Sequence, residues 1–251
     1  MKKIAMITGA TSGIGKACAE KLASIGYNLI LVGRRQLNLD VIKENLVGEY
    51  GIQVHSIPFD ISDTKNIKNM MQQLPSDWKN IDVLINNAGT AKNAESFQNS
   101  DDSGIDIMMD TNVKGLMHLT KQILPNMIQK NSGYIFNIAS IASHLIFKGG
   151  AVYCASKYAV LAFSQGLRHD LLGTNLKVTT ISPGFVKTEF ASVWLNNDKV
   201  KADAFYEGME PLLAEDIVET ICYCLNTPSR VNIDEIIISP ICESGLEVCS
   251  K

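Results

Sequence analysis

Tyr134-Ile-Phe-Asn-Ile-Ala-Ser140, then Ile141-Ala-Ser-His-Leu-Ile-Phe-Lys-Gly-Gly150, then Ala151-Val-Tyr153-Cys-Ala-Ser-Lys157: this stretch decides how the 251-residue chain reads. Residues 134–138 form a short apolar run of strand type that ends beside Ser140. Tyr153 and Lys157 are four apart, so on a helix they stand one above the other on a single face. Strand ends of open parallel sheets are where ligands bind, which puts Ser140 at the mouth of a site. A phenol, ordinarily with a pKa of about 10, becomes a usable acid and base when a neighbouring ammonium favours its ionised form. Ser140, Tyr153 and Lys157 are therefore read as a proton-transfer set, with Lys157 expected to lower the Tyr153 pKa. The Tyr-x-x-x-Lys spacing is common by chance, so the rest of the chain has to support this reading.

Working outward, residues 3–7 read as a buried strand, followed by Thr8-Gly9-Ala-Thr11-Ser12-Gly13-Ile14-Gly15 and a helical pattern over 16–25. A glycine-rich turn between strand and helix lets backbone amides approach a phosphate closely. The spacing is Gly-x-x-x-Gly-x-Gly, so it meets the general dinucleotide fingerprint only in part. The next strand, 28–32, runs into Gly33-Arg34-Arg35. An acid there would accept the ribose 2′-hydroxyl of NAD, whereas arginine suits the 2′-phosphate of NADP. Two arginines and no acid predict NADP, with NAD the weaker alternative.

Helix 36–50, strand 53–59 ending at Asp60-Ile61, helix 64–74 and strand 81–85 running into Asn86-Asn87-Ala88-Gly89 continue the alternation. A helix over 106–130 carries Asn112. After the opening stretch come helix 153–172, strand 177–182 with Pro183-Gly184-Phe-Val186-Lys-Thr188, helix 214–226 and strand 233–239. Alternating strands and helices predict a single α/β domain spanning 1–251, with a parallel sheet covered on both faces. Residues 189–212 lack clean periodicity but hold Phe190, Trp194, Phe205 and Tyr206. They read as a substrate loop or lid, or as a pair of short helices packed on a partner subunit.

Composition narrows the function. The chain is 46% hydrophobic and 20% charged with a net charge of −3, and it has no basic cluster suited to nucleic acid. Six cysteines lack Cys-x-x-Cys spacing, and His55, His118, His144 and His169 are scattered, so no metal site is expected. The opening Met-Lys-Lys-Ile-Ala-Met-Ile stops being apolar at Thr8-Gly9, too soon for a secretory leader, and no run reaches the ~18 apolar residues of a membrane span. A cytoplasmic protein with reduced thiols and no membrane partner is expected.

Together, Thr8-Gly9-x3-Gly13-x-Gly15, Asn86-Asn-Ala-Gly89, Asn112, Ser140, Tyr153-x3-Lys157 and Pro183-Gly184-x3-Thr188 resemble the short-chain dehydrogenases/reductases. The likeness covers essentially the whole chain with its motifs in order. It implies a Rossmann-type doubly wound fold with a seven-stranded parallel sheet, and a homotetramer. By the resemblance, Ser140 would orient the substrate oxygen, Tyr153 would be the acid/base, and Lys157 would hold the nicotinamide ribose. The Asn112 backbone would hold a relay water. Gly9, Thr11, Ser12, Gly13, Ile14, Gly15, Arg34, Arg35, Asp60, Ile61, Asn87, Ala88 and Gly89 would line the adenosine and pyrophosphate site. Val186 and Thr188 would meet the nicotinamide carboxamide, and Pro183, Gly184, Tyr153 and Lys157 would also bind the cofactor.

A narrower likeness rests on Gly33-Arg-Arg35, Leu74-Pro-Ser-Asp-Trp-Lys-Asn-Ile-Asp82, Gly149-Gly150-x-Val-Tyr153, Thr188-Glu-Phe190 and Arg230-Val-Asn-Ile-Asp234. These resemble the NADP-dependent 3-hydroxy acid dehydrogenases, the group that includes serine 3-dehydrogenase. The implied substrates are small acids of the L-serine, L-allo-threonine or 3-hydroxypropanoate type. A 3-oxoacyl thioester or general carbonyl reductase is the alternative, and a non-catalytic nucleotide-binding protein a further one. Ala151 stands where the narrower group has Asn, and by sequence Lys148 and Lys187 are the nearest cations for a substrate carboxylate.

Overall fold

The computed structural model describes residues 2–92, 95–195, 198–244 and 247–248. Seven strands, β1 (Ile4–Thr8), β2 (Asn28–Gly33), β3 (Val54–Pro58), β4 (Val83–Asn86), β5 (Gly133–Ile138), β6 (Leu176–Pro183) and β7 (Glu235–Ile238), form one sheet in the order 3-2-1-4-5-6-7. Every neighbouring pair is parallel. Parallel strands need crossover helices, and these cover both faces. Helices α1 (Gly13–Ser24), α2 (Gln36–Tyr50), α3 (Ile67–Gln72), α4 (Asp102–Met109), α5 (Leu116–Gln129), α6 (Ala151–Asp170), α7 (Phe190–Trp194), α8 (Lys199–Ala204) and α9 (Ala214–Leu225) complete the main elements, and a small two-stranded ribbon, β8 (Glu243–Ser244) with β9 (Glu247–Val248), follows β7.

The two-residue period of the strands divides the core. Ala5, Ile7, Leu29, Leu31, Ile85 and Phe136 pack under Cys18 and Leu22 of α1, Leu39 of α2 and Ile217 of α9. Their neighbours Met6, Ile30, Val32, Leu84 and Ile135 face the other way, against Ile67 of α3, Ile123 of α5 and Leu167 of α6. Each fully buried side chain of this size contributes roughly 1.5–3 kcal/mol, so Phe136→Ala would cost about 3–5 kcal/mol once the cavity is included.

The chain reverses its direction of progress across the sheet between β1 and β4, and the crevice above that junction is the expected ligand position. Thr8 and Asn87 tie the two strand tips together. Asn87 Nδ2 donates to the Thr8 carbonyl at 2.9 Å, and the Asn87 and Ala88 amides donate to Thr8 Oγ1 at 3.0 and 2.9 Å. Below them a buried chain runs from Asn86 Nδ2 to Thr120 Oγ1 and Asn137 Oδ1, and from Asn137 Nδ2 to Ser164 Oγ. It locks α5 and α6 to β4 and β5, and so fixes the helices that carry the site.

Two stretches differ from the sequence expectation. The continuous helix over 106–130 begins earlier, at Asp102, and opens into a π-helical turn over Asp110–Gly115 between α4 and α5. Such turns are rare and cluster at functional sites, and this one carries Asn112. A Cβ on Gly115 would fall 2.5 Å from the Ile61 carbonyl oxygen, so the irregular turn lies tight against the end of β3. Residues 189–212 contain two short helices, α7 and α8. No helix among the described residues is long and apolar enough to cross a membrane.

Candidate active site

A cleft of about 560 Å³ lies over the carboxyl ends of the strands. Its floor at one end is the turn from β1 into α1. Gly13 adopts φ +51°, and a Cβ on Gly15 would sit 2.3 Å from the Gly9 carbonyl oxygen, so only glycines allow the backbone to close this tightly. The cradle left beside the α1 N-terminus suits a pyrophosphate. Gly33, Arg34 and Arg35 border the same end, as do Thr11, Ser12, Ile14, Asp60 and Ile61. Arg35 donates from Nη2 to Thr11 Oγ1 at 2.9 Å and pairs with Glu189 at 3.0 Å, while Arg34 lies 3.8 Å from Asp60. The donor set therefore fits an adenosine ribose that carries an additional anionic group.

At the other end the predicted proton-transfer set converges. Ser140 ends β5 and caps the short turn 141–143, its Oγ accepting from the Ala142 amide at 3.1 Å. Tyr153 stands in the first turn of α6, with Ser140 near enough to act on the pKa of its phenol. Lys157 is only 6% exposed, and its Nζ donates to the Ile138 carbonyl at 3.0 Å. Asn112, also buried, accepts from the Thr90 amide at 2.7 Å and donates to the Thr90 carbonyl and to Ser156 Oγ. A Cβ on Gly89 would meet Asn112 Oδ1 at 3.4 Å and Lys157 Nζ at 3.5 Å, so the three motifs meet at one point. Ala88, Pro183, Gly184, Val186 and Thr188 border the cleft.

The electrostatics correct one expectation. Burial pushes the Tyr153 phenol up to about 12, with Ser140 opposing it, and lowers Lys157 to about 8. Lys157 does not depress the Tyr153 pKa in this arrangement. Its Nζ is 5.8 Å from the ring centroid and bonded elsewhere, and desolvation of both groups outweighs their attraction. Lys148 and Lys187 are also corrected: both are exposed and neither borders the cleft. Lys187 is carried on a stretch whose backbone is tied to Leu212, and its side chain lies outside.

Several participants were not legible in the sequence. Glu189 pairs with Arg35 across 154 positions, and Thr90 and Ser156 hold Asn112. Glu243 reaches the cleft from the C-terminal ribbon and accepts from the Phe185 amide at 3.1 Å. The aromatic residues of 189–212 were visible, but not their arrangement. Tyr153, Phe190, Trp194, Phe205 and Phe185 form a continuous series, with ring centroids 5.4 to 6.0 Å apart.

Comparison with known proteins agrees with this geometry. Residues 3–199 match the family model described as short chain dehydrogenase. The chain is 40% identical over 248 residues to the NADP-dependent 3-hydroxy acid dehydrogenase YdfG of Salmonella typhi, covering 98% of each. It is 38% identical over 241 residues to sulfoacetaldehyde reductase 2 of Chromohalobacter salexigens, covering 96% of this chain and 95% of that one. A solved structure described as the closed form of serine dehydrogenase complexed with NADP+ superposes with a TM-score of 0.91 at 37% identity, over 99% of this chain and 100% of that one. With residues 3–199 matched by the family model and a 40% identical relative covered over 98% of its length, the chain belongs to the short-chain dehydrogenase family.

Proposed function

We propose that the chain is an NADP(H)-dependent oxidoreductase that interconverts the 3-hydroxyl and 3-oxo forms of a small 3-hydroxy acid of the L-serine, L-allo-threonine or 3-hydroxypropanoate type. The observation that carries this is the meeting of Ser140, Tyr153 and Lys157 in one cleft whose far end presents Arg34 and Arg35. The relatives' names supply the acid. When bound, the nicotinamide supplies the hydride donor or acceptor. The protein's own part is alignment and proton supply. Ser140 Oγ holds the substrate oxygen, and the Tyr153 hydroxyl gives or takes its proton. Lys157 is released from Ile138 to hold the ribose and favour the phenolate, and the Asn112 backbone holds the relay water. Gly9, Gly13 and Gly15 admit the pyrophosphate, and Arg34 and Arg35 take the 2′-phosphate. In the same proposal 189–212 is the lid and the assembly is a homotetramer.

Absorbance at the reduced-nicotinamide band, with NADP and L-serine, L-allo-threonine, 3-hydroxypropanoate and 3-hydroxybutyrate, tests this reading. Turnover with NADP and an acid is the expected result. Silence with all four would remove it. The aromatic series gives a second reading, a 3-oxoacyl thioester or general carbonyl reductase. That reading predicts rapid NADPH oxidation by acyl thioesters and indifference to hydroxy acids.

A further inference from the structure

Beyond Tyr153 the cleft changes character. Tracing ring contacts from the Tyr153 phenol leads to Phe190, Trp194, Phe205 and Phe185, and the Phe185 amide donates to Glu243 Oε2. Glu243 is 7% exposed, and its second oxygen, Oε1, has no hydrogen-bond partner among the described residues. An unpaired carboxylate oxygen in an apolar wall is costly, and burial accordingly raises this carboxyl's pKa. The other charged groups on the described cleft wall do not answer it. Arg34, Arg35, Asp60 and Glu189 pair among themselves at the adenosine end, and Lys157 Nζ is bonded to Ile138.

Aromatic faces attract cations, and a carboxylate beside them completes an ammonium site.

Resting on the hydride-transfer reading above, we infer that the substrate end of the cleft is an ammonium-binding cage, with Glu243 as counter-ion and the rings of Phe185, Trp194 and Phe205 as its walls. The recognised class is the amino alcohol and its amino carbonyl partner. The amine is the feature that this end of the cleft reads.

Four alcohols that share a four-carbon skeleton separate the features: L-allo-threonine, L-allo-threoninol (the carboxylate replaced by a hydroxymethyl group), 3-hydroxybutyrate (the amine removed) and butane-1,3-diol (neither charge). Calorimetric binding to the chain, with and without NADPH, is measured alongside turnover. Both amine-bearing compounds are expected to bind about ten- to a hundredfold more tightly than their amine-free counterparts. Glu243→Gln, which keeps an acceptor for the Phe185 amide, erases that difference and leaves the NADP KM and the diol unchanged. Equal binding of the four, or tighter binding of 3-hydroxybutyrate, overturns the cage. So does a Glu243→Gln variant that retains the amine preference. Should Glu243→Gln fold poorly, Trp194→Leu carries the same test, with loss of amine preference expected and its retention contradicting the proposal. Preferential binding without turnover would leave the cage standing and sink the hydride-transfer reading, while turnover without amine preference would do the reverse.

Discussion

Replacing Arg34 and Arg35 together with glutamine tests the adenosine end of the cleft. In the free chain, Arg35 holds Thr11 and Glu189, and Arg34 sits near Asp60. The arginine side chains are 71% and 42% exposed, so these are solvent-screened pairs worth about 0–1 kcal/mol each. Removing them should therefore leave stability almost untouched. A charge-assisted bond to a phosphate is worth more, about 1.5–3 kcal/mol. Two such bonds, less the cost of releasing Arg35 from Glu189, leave roughly 2–4 kcal/mol, or about a 30- to 1000-fold rise in the NADP KM at 1.4 kcal/mol per tenfold. The NAD KM should move by less than about threefold, since NAD has no 2′-phosphate to lose. Initial rates with each cofactor at saturating alcohol, with a thermal melt of both proteins, give the comparison. An equal rise for NADP and NAD, or no rise for either, would show that the arginines only decorate the surface and would refute the assignment.

Three other outcomes follow from particular contacts. Asn112→Ala strips the buried partner from the Thr90 amide and carbonyl and from Ser156, and should cost about 2–4 kcal/mol in urea unfolding; an unchanged midpoint would mean that the π-helical turn holds itself. Lys157→Met removes a base whose pKa falls on folding from 10.5 to about 8. The native protein binds fewer protons than the unfolded chain between those values, so the penalty, about 3 kcal/mol, is complete below pH 8 and gone above pH 10.5. The variant's stability relative to the parent should thus shrink by about that amount between pH 7 and pH 10.5, and a difference that does not vary with pH would contradict the buried-lysine account. Trp194→Ala removes ring contacts to Phe147, Phe190 and Phe205 and should raise the alcohol KM by about tenfold with the NADP KM unmoved, since each aromatic pair is worth about 0.5–1.5 kcal/mol; a matching rise for NADP would place the ring elsewhere in the binding path.

The sheet was legible because its strands are short apolar runs spaced by amphipathic helices, and parallel packing buries such runs on both sides. The α2 span, Gln36–Tyr50, was read to the residue. Glycine turns and the Tyr153–Lys157 spacing were legible because they are local. What escaped was non-local or geometric. The π-helical turn at Asn112 has no marker in the hydrophobic period, since the apolar face continues through it. Glu189 and Glu243 act through contacts 154 and 58 positions distant, which no window of sequence contains. The Tyr153–Lys157 spacing gave the right neighbours but not the direction in which burial shifts the Tyr153 phenol. Spacing reports proximity, whereas the sign depends on how much water both groups lose.

The account rests on Tyr153 moving the proton, and Tyr153→Phe tests that most directly. The ring stays in place against Phe190, and only the hydroxyl and its interaction with Ser140 are lost, a change of at most about 0.5–1.5 kcal/mol in stability. The predicted result is a folded protein that binds NADPH like the parent and whose kcat falls by about 10²–10⁴. Turnover within about threefold of the parent, a loss far below that general acid–base range, would contradict the account.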